Sequence, residues 1–205
     1  MKTLKIEIRG DHAIIDGYVN AVERESRVLP SVRGPFVEKI KAGVFERALN
    51  RAADVDLLFN HDKNRKLGSI SAGNLELFED AIGLRAIATI TDPEVIEKAQ
   101  NNELRGWSFG FVDNKSEWAE AENGVAKRTL EDIELLEVSI LDKTPAYIAT
   151  SIEARGNTEK LTENRAYENR AVVETTIAPV TNENRSIDYT VFEREIEMLK
   201  LKGGN

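Results

Sequence analysis

The sequence predicts a mainly β domain with peripheral helices, an α+β chain, on three observations. Short stretches of alternating apolar and polar residues recur along the first three quarters, Gly and Asp turn signals separate them, and only two segments there carry helical spacing. Of 205 residues, 41% are hydrophobic, enough for one core of ordinary domain size. The reading assigns residues 1–153 to the main domain, 154–186 to a polar flexible linker and 187–205 to a terminal segment with an amphipathic helix able to dock.

Taken in order, Leu4, Ile6 and Ile8 alternate with charged neighbours, Gly10-Asp11 supplies a turn, and Ala13-Ile14-Ile15 leads into Gly17-Tyr18-Val19 as the second arm of a hairpin. Phe45, Ala48, Leu49 and Ala52 recur at helical spacing while Glu46, Arg47 and Arg51 face water, so Val44 to Ala52 is predicted as a short surface helix. Leu57, Leu58 and Phe59 make an apolar strand that ends in Asn60-His61-Asp62. Ser69 to Phe78 and Ile82 to Ile90 read as two strands joined at Glu79-Asp80. Asp92-Pro93-Glu94 combines an N-cap, a proline at the first helical position and an early acid, predicting a second helix towards Leu104. Trp107 to Val112 and Ile133 to Leu141 are the last strands expected in the domain.

The tail differs in composition. Glu-Asn-Arg recurs at residues 163, 168 and 183 in a stretch with too little apolar surface to offset the entropy of ordering. Order returns at Thr190 to Leu201, where Thr190 and Glu193 match a capping box and Phe192, Ile196 and Leu199 share a helical face. The helix either folds back on the parent domain or docks on a partner.

Composition excludes several chemistries. The absence of cysteine removes disulfides, thiolate nucleophiles and zinc-thiolate sites. A formal charge of -8 argues against phosphate-backbone binding, so nucleic acid is not an expected partner. MKTLKIEIRGD has no apolar core of signal-peptide length and no run in the chain is long enough to span a bilayer, so a soluble, unexported protein is expected.

The chain has only His12 and His61 as candidates for an imidazole base. His12 sits beside a turn and reads as a solvated polar residue. His61 follows an apolar strand, where the chain leaves the core and a cleft can form. Ser108 lies in Arg105-Gly106-Trp107-Ser108-Phe109-Gly110-Phe111, enclosed by aromatic rings that exclude water and by glycines that let backbone approach closely, although a serine on the polar face of a strand fits the same pattern. Glu137 is the candidate carboxylate for the imidazole Nδ1. If Leu136, Val138 and Ile140 face the core, Leu135, Glu137 and Ser139 share the opposite face. Asp62, Asp132 and Glu134 compete for the same role.

An ordered set of short motifs adds to this reading: Gly34-Pro35-Phe36 with Gly43-Val44-Phe45, Leu58-Phe59-Asn60-His61-Asp62, Leu67-Gly68, Gly83-Leu84, Gly106-Trp107-Ser108-Phe109-Gly110-Phe111, and Leu136-Glu137-Val138-Ser139 with Pro145-Ala146-Tyr147. Together, from about Asp16 to about Ile152, they resemble the caudovirus prohead protease family. The resemblance implies a fold similar to the herpesvirus assemblins, with a β-barrel-like core. It implies a serine endopeptidase that processes capsid and scaffold precursors inside the immature shell, in the cytoplasm of the bacterial host. It places the family's histidine on His61 and its serine on Ser108, and makes Ser139 the weaker nucleophile. The herpesvirus relatives use a second histidine and none lies downstream here, which leaves the third corner open among the acids. The implied partners are the major capsid protein precursor and its scaffold segment, with the chain itself a further candidate substrate and a second copy a candidate neighbour. The expected chemistry is acyl-enzyme formation without metal or cofactor, with oxyanion donors sought near Gly106 or Gly110. A rival reading from another class is a catalytically idle barrel-like scaffold or capsid-binding module.

Overall fold

A computed structural model of the chain describes residues 4–31, 34–120, 124–142, 153–154, 161–166 and 173–177. The terminal helix expected at Thr190 to Leu201 lies outside the described residues. Two open sheets face each other across one core. The first contains β1 (Leu4–Arg9), β2 (His12–Ala21), β6 (Leu75–Glu79), β7 (Gly83–Ile90) and β12 (Val173–Ile177), in the order β12-β1-β2-β7-β6. The second runs β10-β11-β8-β9-β4-β5, built from β4 (Asp56–Phe59), β5 (Asp62–Ser69), β8 (Gly106–Glu120), β9 (Ala126–Leu141), β10 (Glu153–Ala154) and β11 (Leu161–Ala166), while β3 (Phe36–Ile40) pairs with β9 beside that path.

This arrangement corrects the expectation of an assemblin-like β-barrel core. Closure requires the outer strands of one sheet to hydrogen-bond to each other. Here β12 and β6 end the first sheet and β10 and β5 end the second, with no ladder joining them among the described residues. The fold is mixed α+β with sheets that keep their edges.

The periodic segments explain where the core sits. Along β2, Ala13, Ile15, Gly17, Val19 and Ala21 are buried and the alternate residues are partly exposed, the period of two that a half-buried strand imposes. Ile6, Ile15, Leu84 and Ile90 of the first sheet join Leu57, Phe109, Phe111, Leu130 and Val138 of the second in one apolar cluster. Phe109 packs edge-on to Phe45 and stacks with Phe111, at ring separations of 5.4 and 5.2 Å. The run read as one strand from Ser69 to Phe78 is divided: Ser69 ends β5, Gly73 turns with φ 76°, and β6 begins at Leu75.

Helix α1 (Val44–Arg51) buries Val44, Phe45 and Ala48. Arg51 holds it against β9 through hydrogen bonds to Asp132 Oδ1 and the Ile133 carbonyl at 2.6 and 3.0 Å. Helix α2 (Pro93–Gln100) starts as its sequence predicts, with Asp92 Oδ1 accepting from the Val95 amide at 3.1 Å, and it ends at Gln100, short of Leu104. It buries Val95 and Ala99 against β1 and β2.

The long strand β9 organises the second sheet. Its first third pairs in parallel with β3, its last third in parallel with β4, and its opposite edge runs antiparallel to β8 along nearly its whole length. Parts of the region read as linker also enter the sheets: β11 pairs antiparallel with β8, and β12 pairs in parallel with β1.

Candidate active site

The aromatic run of β8 alternates in a way that isolates its serine. Trp107, Phe109 and Phe111 all join the core, so Ser108 and Gly110 point to the other face of the sheet. Across the ladder, Ser108 lies opposite Ser139 and Gly110 opposite Glu137. Leu136 has no counterpart on β8, because the register passes from Gly110–Glu137 to Phe111–Leu135. This bulge reverses the alternation, so Leu135 enters the core and Leu136 is only partly buried. Sequence alternation assigned those two leucines the other way round. Beyond the bulge Val138 and Ile140 bury as expected, and Glu137 and Ser139 share the face that carries Ser108.

His61 reaches that face from the β4–β5 hairpin. Phe59 pairs with Asp62, leaving Asn60 and His61 as the two turn residues, with φ of 55° and 60°. Two successive left-handed residues are the pattern of a type I′ turn, whose twist matches the strands it joins. Neither residue is glycine, so neighbours must hold the turn in place. Asn60 supplies three of these contacts: its amide donates to the Ile140 carbonyl at 2.9 Å, its Nδ2 to Asp142 Oδ1 at 2.8 Å, and its Oδ1 accepts from the Asp142 amide at 3.2 Å. The His61 amide donates to Ser139 Oγ at 3.1 Å.

The three side chains form one line of contacts. His61 Nε2 is 2.7 Å from Ser108 Oγ, and His61 Nδ1 is 2.7 Å from Glu137 Oε1. Ser139 Oγ donates to the other carboxylate oxygen of Glu137 at 2.6 Å, so one hydroxyl fixes both the acid and the backbone of the imidazole. Such a line can move a proton: a carboxylate on Nδ1 sets the tautomer, the free Nε2 accepts a hydroxyl proton, and the imidazolium formed is stabilised by the acid.

The remaining candidates are engaged elsewhere. His12 lies at the turn end of the β1–β2 hairpin, with Nδ1 3.1 Å from Asp11 Oδ1. Asp62 Oδ1 accepts from the Asn64 amide, and Asp132 accepts from Arg51. Glu134 is exposed. Gly106 opens β8 with φ 149°, where a side chain would be strained, and Gly110 is paired between Glu137 and Asn164.

Two further features were not assigned from sequence. Ser108 is fully buried because β11 lies along β8, and Ser108 Oγ approaches the Arg165 carbonyl oxygen at 2.6 Å. Beside it, Glu38, Arg128, Glu163, Arg165 and Asp113 form an ionic cluster, with Glu38, Arg128 and Arg165 each no more than 5% exposed. Burial pushes the Glu163 carboxyl up, but hydrogen bonds from Arg128 and the charges of both guanidinium groups outweigh it and hold the group below its ordinary range. The recurrent Glu-Asn-Arg in the tail was the one sequence signal for this cluster.

Among the described residues no helix is long and apolar enough to cross a membrane, and no group of acidic or histidine side chains is arranged to hold a metal ion. The family model described as Caudovirus prohead serine protease matches residues 2–165. No curated protein and no solved structure matches the chain.

Proposed function

The chain belongs to the caudovirus prohead serine protease family, and on that premise we propose that Ser108 is its nucleophile, His61 the general base and Glu137 the acid that orients the base. The observation that carries the reading is the unbroken line Ser108 Oγ–His61 Nε2 and His61 Nδ1–Glu137 Oε1, each link 2.7 Å. His61 takes the Ser108 proton as Oγ attacks a peptide carbonyl, and returns it to the leaving amine. Water then hydrolyses the acyl-enzyme by the same relay. Ser139 is a positioning residue, because its hydroxyl is spent on Glu137 and the His61 backbone.

The substrates in this reading are the capsid precursor, its scaffold segment and the chain itself, acted on during assembly inside the prohead. Self-processing is supported by a stretch of the chain's own backbone lying against Ser108. The test is Ser108→Ala assayed on the matching capsid precursor. Loss of the nucleophile should cost on the order of thousands-fold or more in rate, and near-normal cleavage by the variant rejects the assignment.

A further inference from the structure

We propose that Glu38 and Arg128 form the specificity pocket of this protease, that the pocket takes Glu-x-Arg segments, and that β11 is such a segment, held for cleavage between Arg165 and Ala166. The proposal rests on Ser108 being the nucleophile.

The backbone geometry is that of a bound extended peptide. β11 adds antiparallel to the free edge of the strand that carries Ser108, the mode in which sheets capture peptide strands. The register sets Ala166 opposite Ser108 and Arg165 opposite Phe109. With the Arg165 carbonyl oxygen 2.6 Å from Ser108 Oγ, its carbon, one bond further along, lies within about 4 Å of the nucleophile. A hydroxyl has one proton. Ser108 Oγ donates it to the Arg165 carbonyl oxygen in this arrangement, so attack requires that proton to turn to His61 Nε2 and an Oγ lone pair to face the carbonyl carbon.

The side chains show what the pocket selects. Glu163 and Arg165 are two apart on a strand and enter the cluster together. Arg165 offers a two-pronged fork to Glu38, Nε to Oε1 at 2.7 Å and Nη2 to Oε2 at 2.9 Å, and its guanidinium lies 5.3 Å from the Phe111 ring centre. A planar fork against a carboxylate and an aromatic face favours arginine over lysine. Arg128 makes the reciprocal pair, donating from its two terminal nitrogens to the two oxygens of Glu163, both at 2.7 Å. Without β11, Glu38 keeps only the 3.1 Å contact from Arg128 among these bonds, so each pocket charge is matched by one of opposite sign on the docked strand. An apolar occupant would leave both pocket charges without that match, a penalty of the kind that gives polar sites their selectivity.

The sequence supplies the independent observation. Glu163-Asn164-Arg165 is repeated as Glu168-Asn169-Arg170 and Glu183-Asn184-Arg185, and the next residue is small each time: Ala166, Ala171 and Ser186. One pocket accounts for the recurrence of both charges at this spacing. In the reaction Ser108 Oγ bonds to the Arg165 carbonyl carbon, the bond to the Ala166 nitrogen breaks, and His61 carries the serine proton to the Ala166 amine. Water then releases Arg165 as a free carboxylate and restores Ser108.

The test is a double-mutant cycle on the full chain with Glu38→Gln, Arg165→Gln and both. Mass spectrometry reads the cleavage rates at the three arginines, and a fluorophosphonate probe reports whether Ser108 is reactive. In the unaltered chain, fragments should end at Arg165, Arg170 and Arg185. Arg165→Gln should slow the first cut on the order of 100-fold and leave the other two. Glu38→Gln should slow all three, and the double variant should be little worse than either single variant at residue 165, because the two groups act as a pair. A labelled chain that spares the three bonds, an unimpeded cut in Arg165→Gln, or additive effects in the cycle overturn the proposal and leave the nucleophile standing. If Glu38→Gln fails to fold, Arg165→Gln alone decides. A chain that neither labels nor cuts overturns the assignment of Ser108 itself.

Discussion

Replacing Ser139 by alanine removes two interactions that hold the proposed relay together without touching the Ser108 hydroxyl proposed to attack. One is the hydrogen bond to Glu137 Oε2 at 2.6 Å, the other the bond accepted from the His61 amide at 3.1 Å. A hydrogen bond to a charged group contributes about 1.5–3 kcal/mol and a neutral one about 0.5–1.5 kcal/mol. Glu137 is only 8% exposed, so water replaces the lost donor poorly. The expected loss of stability is therefore about 2–4.5 kcal/mol, read as a lower midpoint in urea with an unchanged slope. Activity should fall by a different route: kcat drops on the order of 10- to 100-fold with KM little changed, because the base is misaligned while the peptide site is intact. The fluorophosphonate should still modify Ser108, more slowly. An Ser139→Ala protein with the original urea midpoint and kcat would refute the positioning argument. Complete loss of labelling in a folded variant would point to Ser139 as the nucleophile.

Two other perturbations separate charge from geometry. Glu137→Gln keeps the shape of the acid but favours the wrong imidazole tautomer, so kcat should fall by roughly 10³- to 10⁴-fold with little change in fold; retained activity in that variant would remove Glu137 from the relay. Acid should loosen β11. The Glu163 carboxyl is held below its ordinary range by Arg128 and Arg165, with Glu38 and Asp113 as the neighbouring acids, so its share of docking is complete above the ordinary carboxylate pKa and is lost as pH falls through the lowered folded value. Hydrogen exchange of Leu161–Ala166 should therefore rise on acidification before that of β7, and simultaneous loss of protection in both segments would count against a separable strand.

What the sequence revealed and what it concealed follow from the range of each signal. Alternation along β2 and the cap at Asp92 are local, and both appear where the residues predict them. His61 and Ser108 could be nominated because two histidines and one serine among aromatics leave few choices, whereas Glu137 stood among four competing acids; the three side chains do meet. The exchange of Leu135 and Leu136 was hidden because a bulge inserts one residue without changing composition. The turn at Asn60-His61 gave no glycine signal. β11 was concealed for another reason: its polar sequence offers little to a propensity argument, and what orders it is a set of ion pairs with β3 and β9, more than thirty residues away. The expected barrel failed on a similar non-local fact, since residue patterns specify which faces are buried and not whether the outer strands of a sheet meet.

The placement of β12 bears on what a break after Arg165 would do. Five residues, Val173 to Ile177, lie in register with Leu4 to Ile8, on the far side of β1 from β2. Hydrolysis upstream would sever the polymer without dispersing it, since the detached piece keeps this lattice of amide contacts and stays inserted as a foreign strand. Only its displacement would make β1 the rim of its sheet, with an unsatisfied row of backbone donors and acceptors open to another chain. Maturation of the molecule would then leave behind a fresh adhesive border.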